Sequence, residues 1–303
     1  MPRSAPVDGF TLAYDRSGTG EPVILLHGWP GDRTDYRILG PALALASSCD
    51  VIVPDLRGFG ESDKHRADPA AQYSPAAQAR SVAGLIRELG LDRVLLAGYD
   101  VGSRVAQAVA AGYPDLVRAL VISPPLPGIG RRVLEPQPQR EFWYQSFHRL
   151  ALADELIDGK PGQVRAYLSH FWSHWSGPGF ELDPSYLDHL VSVYGPPGAY
   201  TASIAWYRAG SGAVARSLAE QVPDPADRMA LPVTVLWPEF DPLFPRAWSD
   251  RLAEFFSDAT LRPVDGVGHF TPLECPAEFA GAIHDALVAT RATRGGQRRT
   301  TSG

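Results

Sequence analysis

Apolar residues in this chain gather in short unbroken runs. Pro22 to Leu26, Asp50 to Pro54, Val94 to Ala97, Arg118 to Ser123 and Pro232 to Trp237 are built around runs of this kind, and Thr260 to Val264 is a further strand. Such runs predict strands buried on both faces, as in a parallel sheet. Phe10 to Asp15 alternates instead, predicting a strand closed by the turn Ser17-Gly18-Thr19-Gly20. Helical spacing covers Ser74 to Leu89 with Gly90 as its stop, then Ser103 to Ala111, Pro245 to Phe256 and Pro276 to Ala289. Strands alternating with helices predict an α/β protein with a mainly parallel sheet covered on both sides. Between about Gly128 and Asp224 the strand signal vanishes and helix formers, Trp, Phe, Tyr and His take over. The expected organisation is a core in two parts, 1–127 and 225–290, interrupted by a helical cap over 128–224 at the sheet's carboxyl edge. Residues 291–303 are polar, basic and glycine-containing, and predict a frayed, disordered tail.

Composition narrows the function classes. The 303 residues are 45% hydrophobic and 20% charged, which suits a globular protein with a sizeable core. A formal net charge of −6 gives no general attraction to nucleic acid or to an anionic membrane. No apolar run approaches membrane-spanning length, and no signal-peptide core is visible at the amino terminus. Cys49 and Cys275 fit neither metal nor redox spacing and predict no disulfide framework, so a reducing cytoplasm is the expected location.

The chemistry centres on Gly98-Tyr99-Asp100-Val101-Gly102, where a buried run passes straight into a helix-forming segment. This is the pattern of a nucleophile elbow, in which a sharp strand-to-helix turn lifts one side chain out at the sheet edge. Serine esterases carry serine at the centre; here it is Asp100. A carboxylate displaces a leaving group at saturated carbon and forms an alkyl ester of the protein, which water then cleaves at the aspartyl carbonyl. Asp is also a favoured helix N-cap, so the motif alone leaves a structural reading open.

Two strand ends supply partners. Pro238-Glu239-Phe240-Asp241 follows one strand, and Asp265-Gly266-Val267-Gly268-His269-Phe270 follows the next. Nucleophile, acid, histidine is the chain order of α/β-hydrolases. His269 would act as general base on water, with Asp241 orienting it and Glu239 as the reserve acid. His27-Gly28-Trp29-Pro30 follows an earlier strand, so the backbone N–H groups of Trp29 and Val101 are the expected oxyanion hole. Pro30 has no N–H to offer.

With these motifs in place the chain, from Phe10 to Ala289, resembles the soluble epoxide hydrolases of the α/β-hydrolase fold. The resemblance implies a mostly parallel eight-stranded sheet flanked by helices, with a helical cap. It extends into the insertion, where Glu141-Phe142-Trp143-Tyr144-Gln145-Ser146-Phe147-His148 and Trp206-Tyr207-Arg208 are similar to segments bearing the two tyrosines that activate the epoxide oxygen. Tyr144 and Tyr207 inherit that role by resemblance, and Trp143, Phe147, Trp172, Trp206 and Phe270 are candidate pocket walls. Many relatives carry His before the nucleophile and Trp after it; this chain has Tyr99 and Val101. The implied activity is cofactor-independent, metal-free hydrolysis of an apolar or aromatic epoxide to a vicinal diol. Partners are then the small substrate and water, with neither nucleic acid nor membrane, and a homodimer stays open. Haloacetate and haloalkane dehalogenases use the same Asp-His-Asp triad and form the second reading. Arg104 matches one of the two arginines typical of haloacetate dehalogenases, while Val101 replaces the other. A non-catalytic small-molecule binder on a hydrolase scaffold is the third, although it would have no need of triad and tyrosines together.

Overall fold

The computed structural model describes residues 1–46 and 49–300. Seven strands form one sheet in the order β1-β3-β2-β4-β5-β6-β7. They are β1 Tyr14–Gly18, β2 Glu21–Leu26, β3 Cys49–Pro54, β4 Val94–Gly98, β5 Val117–Ile122, β6 Val233–Pro238 and β7 Ala259–Val264. Only β1 runs antiparallel, against β3. The apolar runs account for β3, β4 and β5, which are buried along their whole length. Helices Pro75–Glu88, Asp100–Gly112 and Pro276–Thr300 flank the sheet. Ser74 caps the first through a hydrogen bond from the Ala77 N–H, and Gly90 follows its end at φ +62, the left-handed position that glycine tolerates.

Three expectations need correction. The sheet has seven strands, not eight. Residues 1–13, from which an eighth could have come, make only the isolated bridges Arg3 to Ala13 and Val7 to Phe10. The first strand also begins later than the alternation of Phe10 to Asp15 suggested. It runs through Ser17 and Gly18 because both pair with β3, and Arg16 grips Asp50 through two bonds of 2.8 and 2.7 Å. Gly18 was expected in the turn, yet it pairs with Asp50 in the strand, and the position requires glycine because a Cβ there would lie 2.2 Å from the Cys49 carbonyl oxygen. Finally, the last helix continues through Thr300, so the stretch from Arg291 expected to fray is helical backbone. Residues 301–303 of that expected tail lie outside the described residues.

The segment predicted helical over Pro245 to Phe256 winds as a tight 3₁₀ run, Arg246–Glu254, with Trp248 N bonded three residues back to Pro245 O at 2.8 Å. The insertion between β5 and β6 contains short helices and no strand among the described residues. Its longer members are Pro161–Trp175 and Pro184–Tyr194. Among the described residues no helix is long and apolar enough to cross a membrane.

The chain goes from β2 outward to β3, then returns past β2 to lay down β4 and continues the other way. The crevice at the carboxyl ends of β2 and β4 is therefore a topological switch point, where α/β sheets bind ligands. Leu26 pairs with Gly98 across it, so His27-Gly28-Trp29 and Tyr99-Asp100 leave the sheet side by side.

Candidate active site

The elbow depends on two close approaches. A Cβ on Gly98 would lie 2.8 Å from the Gly102 carbonyl carbon, and one on Gly102 would lie 1.9 Å from the Leu26 oxygen. Asp100 itself is driven to φ +48, a conformation that costs a non-glycine residue energy and collects at functional sites. Its N–H is anchored on Pro124 O at 3.0 Å, and its carboxylate is aimed by the Trp29 N–H, which donates to Oδ1 at 2.8 Å. Val101 lies in the first turn of the helix Asp100–Gly112, where N–H groups have no acceptor within the helix.

His269 and Asp241 meet at the same edge. His269 Nδ1 is 2.8 Å from Asp241 Oδ2, and Nε2 is 3.4 Å from Asp100 Oδ2. Asp241 is fixed in turn by the N–H groups of Leu243 and Phe244, at 2.9 and 3.3 Å. Glu239 points elsewhere, accepting from Gly266 N at 2.9 Å. Burial alone would lower the His269 pKa, but Asp241 and Asp100 outweigh it and hold the imidazole up at about 10.

The cap brings Tyr144 and Tyr207 onto this edge, their rings 5.5 Å apart and nearly perpendicular. Both are buried, and burial first, then the Asp100 charge among other causes, keeps both phenols protonated well above their ordinary range. Trp29 stacks on Tyr144 at 5.8 Å and meets Tyr207 edge-on at 6.1 Å. Asp100, Val101, Tyr144, Tyr207, Trp206 and Phe244 line one cavity, with Arg104 among the other walls. The cavity holds only about 10 Å³, the space of about one water at most.

Of the candidate pocket walls, only Trp206 borders this cavity. Trp143 and Phe147 face a groove on the cap's outer side, with Trp143 43% exposed. Trp172 and Phe270 are stacked on each other at 3.8 Å, as a buried seam between cap and core. Helical spacing alone does not tell which face of a short helix turns inward.

Other residues escaped the sequence reading. Gln145 donates to the Tyr144 hydroxyl oxygen at 3.1 Å and accepts from Val214 N at 3.1 Å, tying one tyrosine to the segment after the other. Phe244 closes the cavity three residues beyond Asp241. Tyr99 donates to the buried Asp35 at 2.6 Å, and Tyr186 of the cap donates to the same carboxyl. The only signal for Asp35 was its place in the charged run Asp32 to Asp35 after the His-Gly-Trp-Pro loop.

Comparison with known proteins places the chain in a family. Residues 21–276 match the α/β-hydrolase fold family, and the chain belongs to it. Within that family it is 30% identical over 284 residues to a soluble epoxide hydrolase of Corynebacterium sp. (strain C12), covering 90% of this chain and 92% of the relative. A fluoroacetate dehalogenase of Burkholderia sp. is 29% identical over 212 residues, 69% of this chain and 68% of that one. The solved epoxide hydrolase CorEH, without ligand, superposes with a TM-score of 0.80 at 26% identity, covering 95% of this chain and 98% of that one. The protein is a hydrolase related to soluble epoxide hydrolases.

Proposed function

We propose that this protein hydrolyses an epoxide to a vicinal diol through a covalent ester on Asp100. The observation that carries the reading is the convergence of one carboxylate nucleophile and two protonated phenols on a single cavity. Asp100 Oδ2 attacks a ring carbon, the carbon–oxygen bond breaks, and Tyr144 or Tyr207 gives its proton to the departing alkoxide. Alkylation removes the Asp100 charge, one of the causes that hold His269 protonated, so the imidazole becomes a readier base. His269 gives up its proton, which restores the tyrosine, then takes one from the water that attacks the ester carbon and passes it to the departing diol oxygen. The negative charge builds on Oδ1, where the Trp29 N–H already donates at 2.8 Å and the Val101 N–H is the second candidate. Collapse expels the diol, which keeps the old Oδ2. No cofactor enters this chemistry.

His269→Gln tests the reading. It should be alkylated on Asp100 yet fail to turn over, so intact-protein mass spectrometry should find one substrate mass added and localised to the Asp100 peptide. A variant that stays unmodified under saturating epoxide would count against the covalent route.

One observation favours haloacetate as a second reading. Arg104 borders the same cavity, and its buried Nε has no hydrogen-bond partner among the described residues, while burial brings its pKa down to about 10. Halide leaves as a weak base and needs no proton donor, so the phenols separate the two readings. Turnover of haloacetates beside styrene-type and aliphatic epoxides decides between them.

A further inference from the structure

The loop carrying His269 is held by a second carboxylate, on the side away from Asp241. Glu274 ends the helical turn Thr271–Glu274 and its side chain folds back along the loop. Oε2 accepts from Gly268 N at 2.8 Å, and Oε1 accepts from Phe270 N at 2.9 Å. These are the residues on either side of His269. The N–H of His269 itself goes to Trp175 O, at the end of the cap helix Pro161–Trp175, at 2.8 Å. Glu274 Oε2 also accepts from Gly177 N, two residues further along the cap, at 2.8 Å.

Cap and loop touch through bare backbone here. A Cβ on Gly177 would lie 2.7 Å from Gly266 O and 2.8 Å from Gly268 N; one on Gly268 would lie 2.3 Å from Gly177 N. Trp175 continues the contact, its ring 5.2 Å from the His269 ring.

We infer that Glu274 is the positioning residue that aims His269 for ester hydrolysis and makes that aim depend on the cap being seated. The inference rests on the two-step reading above. Asp241 fixes the imidazole's tautomer and rotation, whereas Glu274 fixes the backbone from which the ring springs. The hydrogen bonds that set the groups of the first step lie elsewhere: Trp29 N donates to Asp100 and Gln145 donates to Tyr144, which meets Trp175 through ring packing alone. Losing Glu274 therefore leaves alkylation in place and misplaces the base of the second step.

Glu274→Gln keeps the shape but sets an amide N–H₂ where a carboxylate oxygen now receives an N–H. Rapid-mixing single turnover with epoxide should show alkylation within about twofold of the parent and hydrolysis slower by about ten- to a hundredfold, the scale of a small misplacement. The ester on Asp100 should then become the main enzyme form during turnover. The values of kcat and KM should fall together with kcat/KM preserved, a signature that general structural damage does not produce. Gly177→Ala, which presses on the same contact from the cap side, should show the same split. Glu239→Gln, which loosens Gly266 on the same loop but none of the three N–H groups at 268–270, should show none. Hydrogen exchange gives a readout without turnover: the Gly177 and Gly268 amides should lose protection in Glu274→Gln. If its ester hydrolyses at the parent rate, or if both steps slow by one factor, Glu274 merely braces a loop and the inference falls. If His269→Gln accumulates no ester, the two-step reading fails instead, and exchange at Gly177 and Gly268 still reports whether Glu274 holds the latch.

Discussion

The sheet edge and the cap bring side chains to one site by different means. Asp100, Asp241 and His269 leave the ends of β4, β6 and β7 within five residues of the last paired position. Their placement follows from strand register, and backbone N–H groups then set the carboxylates. Tyr144 and Tyr207 sit on helices of five and four residues, too short to be stable alone. They are placed by ring packing against Trp29, Trp175, Phe171 and His148. The sheet-edge half is thus set by strand register and backbone N–H contacts, and the cap half by a layer of packed aromatic side chains. On the proposed reading, attack at the ring carbon falls to the sheet-edge half, and proton donation, for which two phenols are at hand, falls to the cap.

The largest effect should come from the sheet-edge half. Asp241→Asn leaves the loop's N–H contacts a carbonyl to bond but removes the countercharge and the tautomer control of His269. Steady-state turnover should drop by roughly 10⁴-fold, the cost of this change in comparable triads, with the fold unaltered by circular dichroism. Glu239→Gln should stay near the parent. The opposite ranking would mean that the acid is not set by strand register at all.

The cap should respond more gradually, because it holds two donors for one proton. Tyr144→Phe and Tyr207→Phe should each slow alkylation moderately, and the double variant should lose about 10² to 10⁴-fold, the range of general acid catalysis. Stopped-flow tryptophan fluorescence reads that step, with Trp29 stacked on Tyr144 as a reporter. Ring packing survives in Phe, so melting temperatures should hold. A double Phe protein that opens epoxides at the parent rate would make the tyrosines ordinary cap core and bring the haloacetate reading forward.

The same division explains what could be read from the amino-acid sequence. Register makes spacing meaningful, so Gly98-Tyr99-Asp100-Val101-Gly102 and the two loops after β6 and β7 pointed to residues that do meet. The cap offered aromatic residues on short helices with no period long enough to fix a face. Resemblance singled out Tyr144 and Tyr207, which do line the cavity, while Trp143 and Phe147, within one turn of Tyr144, turn to the outside. Contacts between distant segments left no trace in local pattern, which is why Gln145 to Val214 and Glu274 to Gly177 were missed. The eighth strand came from the resemblance alone; the strand-like segments of the chain itself number seven, as the sheet does.

One group belongs to both halves. Asp35 accepts from Tyr99, the residue before the nucleophile, and from Tyr186 on the cap. It fills the space left by Gly31, where a Cβ would lie 2.0 Å from its Oδ2. Burial pushes its pKa up to about 8, with Asp32 adding to the rise and the two phenols opposing it. An unfolded Asp titrates near 3.9. Between about pH 4 and pH 8 the folded protein therefore holds a proton that the unfolded chain has lost, and stability contributed by Asp35 falls as pH rises through that window. Asp35→Asn keeps the size and polar contacts without the titration. Its catalytic effect should be the smallest of this series, because neither Asp100 nor the cavity phenols touch it. Its signature is thermodynamic: in urea unfolding from pH 5 to pH 8, the variant should gain on the parent by roughly 1–3 kcal/mol as pH rises. Parallel pH profiles would mean that Asp35 stays ionised beneath the elbow, and that the junction between core and cap is held by a charged pair of hydrogen bonds instead of a neutral acid.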